Sequence, residues 1–159
     1  MAITIRPATP ADAAEIAQLH AETHRATYAP LIDGPYQAPA LADRQAEWRE
    51  MLAGPGLSFV AIEAGRIVGI GHAEGARIEP LHVVPSHHRR GIGQALLRRL
   101  LDGLSARGEP FAIFNVLAAN GPAIAFYEAQ GAHRIGSETM TDAPAPYLDF
   151  VYRIDAAAR

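Results

Sequence analysis

Apolar positions in the first third of the chain predict one strand and two helices. Alternation of apolar and polar residues over 3–7 predicts a half-buried strand. Thr9, followed by Pro10 and then by Asp12, has the spacing of a capped helix start, and this helix is expected to run to about Ala26. After a Pro-rich connection, a second helix is predicted, with an apolar side made of Leu41, Trp48, Met51 and Leu52.

A three-strand meander is predicted next. Residues 59–63 and 67–73 have the pattern of two strands joined by a tight turn, and the chain then turns into a third strand over 77–84. Pro80 lies inside this third strand, and a proline cannot donate a hydrogen bond to a ladder. We therefore expect Pro80 at an edge, at a bulge or at a break in the pairing.

The second half of the chain combines a leucine-rich helix with a crossover between parallel strands. The apolar stripe of this helix comprises Ile92, Leu96, Leu97, Leu100, Leu101 and Leu104. The apolar run 111–116 predicts a strand buried on both faces, and a crossover of this length predicts that it runs parallel to 77–84. A short helix from Asn120 to about residue 130 and two strands, over about 134–138 and 147–154, complete the prediction.

Composition and charge limit the class of protein. The 159 residues fit one domain over 1–159, and the net charge of −3 argues against nucleic acid as a partner. No apolar run is long enough to span a membrane, and a strand pattern stands where a signal peptide would lie, so we expect a cytoplasmic protein without a membrane partner. Cysteine and lysine are absent, which excludes thiolate chemistry and a Schiff base on a lysine.

Residues 83–97 carry the strongest chemical signal. A strand end is followed by a basic, glycine-containing loop and then by a helix start, where unpaired N–H groups bind phosphate oxygens readily. The loop contains two arginines and then two glycines, which are Arg89, Arg90, Gly91 and Gly93. Leu96 stands where a dinucleotide fingerprint needs Gly or Ala, and the Gly-Lys-Ser/Thr of a Walker loop is absent. By itself the stretch is consistent with a phosphate cradle or with a simple turn.

A second motif lies downstream at a fixed spacing. It consists of Asn120, Ala123, Phe126, Tyr127 and Gly131, and it matches the pattern Asn-x-x-Ala-x-x-Phe-Tyr-x-x-x-Gly. Together with residues 88–93, which match Gln/Arg-x-x-Gly-x-Gly/Ala except at His88, it makes the chain resemble the GNAT superfamily of acetyl-CoA-dependent N-acetyltransferases. The resemblance implies an α/β fold with a mixed, mostly antiparallel sheet of about seven strands, four helices, and a parallel pair splayed at the acyl-CoA site.

The resemblance implies acetyl-CoA as co-substrate and no metal. Loop amides would hold the pyrophosphate, and the preceding strand would offer backbone groups to the pantetheine and the thioester carbonyl. The implied cofactor contacts are Leu81, Val83, Val84, His88, Arg89, Arg90, Gly91, Ile92, Gly93, Gln94, Asn120, Ala123 and Tyr127. Asn120 also fits the N-cap of its helix. His82, His87 and His88 do not complete a recognisable metal-ligand spacing with a carboxylate or cysteine.

The resemblance further implies transfer to a primary amine by direct attack in a ternary complex. Backbone groups near Val83 and Val84 would stabilise the oxyanion, and Tyr127 would protonate the leaving thiolate, although a core aromatic would fit the same position. Glu79, expected to share a face with Leu81 and Val83, is the leading candidate base. His82 and His72, acting through water, are the alternatives.

The acceptor would contact the connection after the first helix and the last hairpin. Tyr28, Tyr36 and Tyr147 in these segments are the candidate substrate contacts, and such residues are also ordinary in surface loops. The acceptor class stays open among small metabolites, antibiotic amines, peptide N-termini and protein lysines. A non-catalytic acyl-CoA-binding domain is the alternative function, and a homodimer paired through the last strands is a further expectation.

Overall fold

Seven strands and four helices alternate along residues 2–157, which are the residues that the computed structural model describes. The strands are β1 (Thr4–Pro7), β2 (Leu57–Glu63), β3 (Arg66–Glu74), β4 (Arg77–Val83), β5 (Phe111–Leu117), β6 (His133–Met140) and β7 (Tyr147–Asp155). The helices are α1 (Ala13–Tyr28), α2 (Leu41–Ala53), α3 (Ile92–Ala106) and α4 (Gly121–Ala129). Met1, Ala158 and Arg159, which belong to the predicted domain 1–159, lie outside the described residues.

The strands form a sheet in the order β1-β2-β3-β4-β5-β7-β6. Strands β4 and β5 are parallel, and the other neighbouring pairs are antiparallel. The predicted fold class is therefore confirmed. β6 is an exposed edge strand, and the predicted homodimer through the last strands stays a prediction. Within residues 2–157, no helix combines the length and the apolar character needed to cross a bilayer.

Helix starts follow from local sequence. The Thr9 N–H donates to the Asp12 carboxylate at 2.8 Å in the 3-10 turn that leads into α1, and Arg6 pairs with the same carboxylate at 2.8 Å. At the start of α4, the Asn120 side chain accepts from the Ala123 N–H at 3.2 Å. Both cap assignments made from the sequence are confirmed, because a cap depends on residues only three positions apart.

Helices cover both faces of the sheet. We call the face covered by α1 and α2 the α1 face, and the face covered by α3 and α4 the α3 face. On the α3 face, the predicted leucine stripe packs against β2 to β5 and β7 in the larger core. On the α1 face, Ile16 and Trp48 pack on Val60 and Ile70. Trp48 is 1% exposed, as expected for a core residue, whereas Leu41 is 40% exposed and lies outside the buried side of α2 that the sequence predicted for it.

Strand β5 is fully buried on one face only, so the prediction of burial on both faces was wrong. Ala112, Phe114 and Val116 are buried in the α3-face core, whereas Ile113 and Asn115 between them are half-buried. The reason is that α1 packs against β3 and β4 and does not cover β5. A polar residue such as Asn115 is therefore accommodated in the middle of an otherwise apolar strand.

The parallel pair separates soon after it forms. Among the described residues, the ladder between β4 and β5 contains the single pair Arg77 and Ile113, next to a hydrogen bond of 2.8 Å from the Ile113 N–H to the Ala76 carbonyl. Towards the end of β4 the two strands diverge and leave a gap in the sheet. We call this opening the β4–β5 gap, and it confirms the predicted splay.

A bulge in β4 changes which side chains share a face. Gly71 pairs with Leu81 and Ala73 pairs with Ile78, so Glu79 and Pro80 both lie opposite one residue of β3. Ile78 and Leu81 consequently face the same α3-face core although they are three residues apart. Of the three positions expected for Pro80, the structure shows the bulge, whereas the face predicted for Glu79 was wrong. Glu79 lies on the α1 face with His82, opposite to Leu81 and Val83, because the extra residue resets the two-residue alternation.

Candidate functional site

The β4–β5 gap exposes backbone groups of β4. The Val84 N–H donates to the Val68 carbonyl of β3 at 2.9 Å. Because backbone groups alternate in direction along a strand, Val83 directs its N–H and C=O to the other edge, into the gap. His88 Nε2 donates to the Val83 carbonyl at 2.8 Å. The side chain that departs from the family's loop motif therefore binds the protein's own backbone. The gap thus presents a backbone donor beside the start of α3.

The loop after β4 ends at the N-terminus of α3, where a ligand can approach the backbone closely. Gly91 is the N-cap of α3 with φ +80°, and Arg89 also has a positive φ of 62°. The first bond of the helix runs from the Ala95 N–H to the Gly91 carbonyl at 3.0 Å, so the amides of residues 92–94 precede it. A Cβ at Gly93 would lie 3.4 Å from the Phe126 ring. These amides fit an anionic group such as a pyrophosphate.

Glu63 connects the β2–β3 hairpin to this loop through contacts with two loop side chains. Its carboxylate pairs with Arg90 Nη2 at 2.6 Å and with His87 Nε2 at 3.0 Å. The pKa of Glu63 is lowered, first by the hydrogen bond from Arg90 and then by that from His87. Of the two predicted loop cations, Arg90 therefore has a counter-charge within the protein. The sequence did not indicate Glu63, because the pairing joins residues 24 and 27 positions apart.

Tyr127 lies on α4 beside the core of the α3 face. Its ring packs 4.4 Å from the ring of Phe114 and 5.1 Å from that of Phe126. Burial, followed by the effect of Tyr28, raises the pKa of Tyr127 well above its ordinary value. The hydroxyl is therefore neutral at physiological pH and can donate a proton. Tyr28 belongs to α1, whereas Tyr127 belongs to α4. The effect of Tyr28 on the pKa of Tyr127 therefore indicates that side chains from the two faces of the sheet approach each other at the gap.

The three predicted substrate tyrosines meet on the α1 face. The Tyr36 hydroxyl lies 2.6 Å from His24 Nδ1, and Tyr28 stacks on the His24 ring at 4.1 Å. The Tyr147 ring lies 6.2 Å from that of Tyr28. Burial raises the pKa of Tyr28 to about 12, with Asp149 as the next contributor. The sequence therefore identified a group that folding brings together, and its role in binding stays a prediction.

A cluster of histidines lies beside these tyrosines. The His20 ring is 5.3 Å from that of His82 and 6.0 Å from that of His24. Burial is the main cause that lowers the pKa of His20 to about 2, of His24 to about 4 and of His82 to about 3. All three are therefore neutral at physiological pH, and His82 is a poor proton acceptor there. His20 and His24 have i, i+4 spacing on α1, a signal that sequence reasoning missed.

Arg44 places a buried cation next to this cluster. It is 4% exposed, and its Nη1 lies 2.9 Å from His20 Nε2, while Trp48 Nε1 donates to His20 Nδ1 at 3.1 Å. Because a neutral imidazole accepts through one nitrogen, His20 accepts from one of these donors at a time. The charge of Arg44 therefore adds to burial and to the effect of His82 in lowering the pKa of His20.

The remaining predicted histidines do not join the cluster on the α1 face. His72 is buried, with Nδ1 2.6 Å from the Ser58 hydroxyl and its ring 5.9 Å from that of Trp48. His87 and His88 bind Glu63 and the Val83 carbonyl, so they do not converge with His82. In the described part of the chain, no group of three or more His, Asp or Glu side chains is arranged to hold a metal ion.

A buried carboxylate completes the α1 face. Asp149 on β7 is 4% exposed, and its Oδ2 accepts from Asn115 Nδ2 at 3.1 Å. Arg77 in turn donates to Asn115 Oδ1 at 3.2 Å. Burial is the main cause that raises the pKa of Asp149 above its ordinary value, and the charge of Glu79 adds to it. Sequence reasoning missed Asp149 and Asn115, because their contact depends on how β5 and β7 pair.

Known proteins share parts of this chain. A model of the acetyltransferase (GNAT) family matches residues 14–132. Peptidyl-lysine N-acetyltransferase YiaC of Escherichia coli strain K12 is 32% identical over 90 residues, which cover 56% of this chain and 58% of that protein. The ribosomal protein bS18-alanine N-acetyltransferase of the same strain is 45% identical over 49 residues, covering 31% of this chain and 33% of its own. The chain thus matches less than two thirds of the length of these curated relatives.

The fold also matches a solved structure along its whole length. The structure of yncA from Salmonella typhimurium, solved with its cofactor acetyl-CoA, superposes with a TM-score of 0.78 at 20% sequence identity. The match covers 100% of this chain and 96% of that one, and at this identity it establishes the fold. Because the family model spans well over half of the sequence, the chain belongs to the acetyltransferase (GNAT) family.

Proposed function

We propose that this protein transfers the acetyl group of acetyl-CoA to a primary amine by direct attack in a ternary complex. The observation that carries the proposal is the position of the β4–β5 gap. The edge of β4 at Val83 opens between the amide-rich start of α3 and the neutral Tyr127 hydroxyl. Family membership and the activities of the relatives YiaC and the bS18-alanine enzyme support the same reaction class.

Acetyl-CoA fits the loop and the gap by shape and by donor chemistry. The amides of residues 89–94 would hold the pyrophosphate, and Gly91 and Gly93 keep side chains away from it. The pantetheine would run along Leu81, Val83 and Val84, whose edge is free of the neighbouring strand. Asn120 and Ala123 would contact the cofactor at the start of α4. That yncA was solved with acetyl-CoA supports this placement.

The chemistry requires a base, an oxyanion donor and an acid, and the site offers a candidate for each. Glu79, directly or through water, would take one proton from the acceptor ammonium and leave a neutral amine. The amine nitrogen attacks the thioester carbon, and the Val83 N–H in the gap would stabilise the oxyanion. When the carbon–sulfur bond breaks, Tyr127 would protonate the thiolate. The proton lost by nitrogen in this step would restore the tyrosine, so one proton is released per turnover.

The exposed position of Glu79 on the α1 face supports its role as base. Its charge acts on Tyr28 and on Asp149, and Tyr28 acts on Tyr127. Because of the bulge at Pro80, Glu79 lies on the α1 face, where the three tyrosines meet. Burial lowers the pKa of His82 to about 3, so His82 is a weak base and a weaker candidate for this proton transfer.

Release of the CoA thiol tests the proposal. Wild-type protein is incubated with acetyl-CoA and a panel of alkyl amines, diamines, and peptides with an N-terminal alanine or an internal lysine. We expect thiol release with at least one amine, and a fall in kcat of about 100-fold or more in Tyr127→Phe with acetyl-CoA binding retained. The matched control is Tyr152→Phe, since the Tyr152 hydroxyl donates to Glu128 away from the gap. Binding of acetyl-CoA without turnover of any amine would instead support a non-catalytic acyl-CoA-binding domain.

A further inference from the structure

Three carboxylates surround the tyrosines on the α1 face. Asp149, Glu79 and Asp142 each raise the pKa of Tyr28, after burial as the main cause. Asp142 also accepts a hydrogen bond from the Tyr147 hydroxyl at 2.7 Å. No ion pair found within residues 2–157 includes any of the three carboxylates. These three carboxylates form a group of negative charges on this side of the gap.

Asp149 gives the clearest indication that a binding partner is missing. It is 4% exposed, and its Oδ2 accepts from Asn115, but in the described part of the chain its buried Oδ1 has no hydrogen-bond partner. Burying half of a carboxylate without a partner is costly, and natural proteins rarely do so without a reason. The neighbours that act on Asp149 by charge are Asp142, Glu138 and Glu79, all of the same sign.

No hydrogen bond or ion pair seen within residues 2–157 brings a cation to this oxygen. Arg77 donates to Asn115, Arg44 lies against His20, and the histidines of the α1 face are neutral. The reacting amine cannot supply the charge either, because its nitrogen must be neutral to attack the thioester. A second group of the acceptor that stays protonated during the reaction can supply a cation to Asp149.

We propose that Asp149 Oδ1 binds a second ammonium group of the acceptor, and that the acceptor is a small diamine or polyamine. This inference rests on the proposed function and narrows its acceptor class. One amine reacts at the gap, while the other donates N–H bonds to Asp149. The Tyr28 and Tyr147 rings lie 6.2 Å apart, and the charge of Asp149 acts on both, so they would offer ring faces and hydroxyl oxygens to a cationic chain.

The test compares 1,4-diaminobutane with butylamine and 4-aminobutan-1-ol, which share the reacting amine and differ at the far end. We expect wild-type kcat/KM for the diamine to exceed that for either monoamine at least tenfold, as for a charge-assisted hydrogen bond in a buried site. In Asp149→Asn, kcat/KM for the diamine should fall about ten times more than that for butylamine. Asp43→Asn, which removes an exposed carboxylate on α2, should keep the wild-type preference.

A structural role for Asp149 would give different results. Because Asp149→Asn removes a buried charge that lacks a partner, we expect its midpoint of thermal unfolding to be no lower than that of the wild type. A marked loss of stability, or equal losses for diamine and butylamine, would overturn the proposal. Asp149→Glu provides a second test, since it keeps the charge and should shift the preference towards 1,3-diaminopropane.

Calorimetric binding of 1,4-diaminobutane separates this inference from the proposed function. If no amine releases thiol but the diamine still binds, and Asp149→Asn abolishes that binding, the cation site stands and the acetyl transfer fails. If thiol is released from monoamines and diamines alike with equal kcat/KM, the transfer stands and the cation site fails.

Discussion

The two sides of the β4–β5 gap are built in different ways. On the α3 face, the candidate cofactor site is a short continuous segment, residues 88–94, whose useful groups are backbone amides. On the α1 face, the candidate acceptor site is assembled from side chains of α1, α2, β4, β5 and β7. A site of amides depends on backbone shape, whereas a site of side chains depends on which residues are present. Within one fold, a site of backbone amides is suited to a ligand that stays the same. A site of side chains is suited to a ligand that varies.

The largest expected effect concerns the α1 face and its stability at low pH. His20, His24 and His82 have folded-state pKa values below the usual 6.5, so their contribution to stability is complete above pH 6.5 and is lost as the pH falls. The contribution of each histidine to the free energy of unfolding falls by up to about 1.4 kcal/mol per pH unit below pH 6.5, which amounts to about 2 kcal/mol at pH 5. Urea unfolding at pH 7.5 and pH 5.0 measures the difference.

One histidine can be removed to identify the source of this loss. His82→Gln should reduce the difference in unfolding free energy between pH 7.5 and pH 5.0 by up to about 2 kcal/mol. The exposed His133 is the matched control, and His133→Gln should leave the difference near the wild-type value. The raised pKa of Asp149 has the opposite effect on the pH dependence of stability, because a buried carboxyl group destabilises the folded protein less when it is protonated than when it is charged. Equal pH dependence in all three proteins would contradict the account of the cluster.

The next effect concerns the backbone of the cofactor site. A valine at Gly91 must adopt φ near +80°, which costs about 1–2 kcal/mol. Gly91→Val should therefore weaken acetyl-CoA binding about tenfold, as measured by calorimetry. His88→Ala is the comparison, since it removes a side chain that donates to the Val83 carbonyl and leaves the loop amides in place, and it should change the affinity less than about threefold. A larger effect of His88→Ala than of Gly91→Val would show that side chains, and not amides, capture the cofactor.

The smallest effect concerns the tie between Glu63 and the loop. Glu63→Gln keeps an oxygen for Arg90 and His87 but removes a negative charge near the pyrophosphate position. We expect acetyl-CoA affinity to rise by about two- to fivefold at low ionic strength, and this gain to shrink in 0.5 M salt. Weaker binding in Glu63→Gln at all salt concentrations would mean that Glu63 acts mainly by holding the loop in shape.

The same contrast explains what the sequence could predict. The caps at Thr9 and Asn120, the turn at Gly91 and the leucine stripe of α3 depend on residues a few positions apart, so their patterns are visible along the chain. The contact between Asn115 and Asp149 joins residues 34 positions apart, and that between His20 and Arg44 joins residues 24 positions apart. Such contacts depend on strand pairing and helix packing, which no local pattern specifies. The face predicted for Glu79 was wrong for a related reason, since no local pattern distinguishes a bulge at Pro80 from an edge position or a break in the pairing.

The central claim is that cofactor and acceptor reach the gap from opposite faces of the sheet. Titration of the ¹⁵N-labelled protein, followed by amide correlation spectra, tests this claim most directly. Acetyl-CoA is predicted to shift the amides of Val83, Val84, residues 86–94 and Asn120. 1,4-Diaminobutane is predicted to shift those of Tyr28 and Asp149 and the side-chain amide of Asn115. Shifts of the same set of residues by both ligands, or shifts by acetyl-CoA confined to the α1 face, would contradict the account.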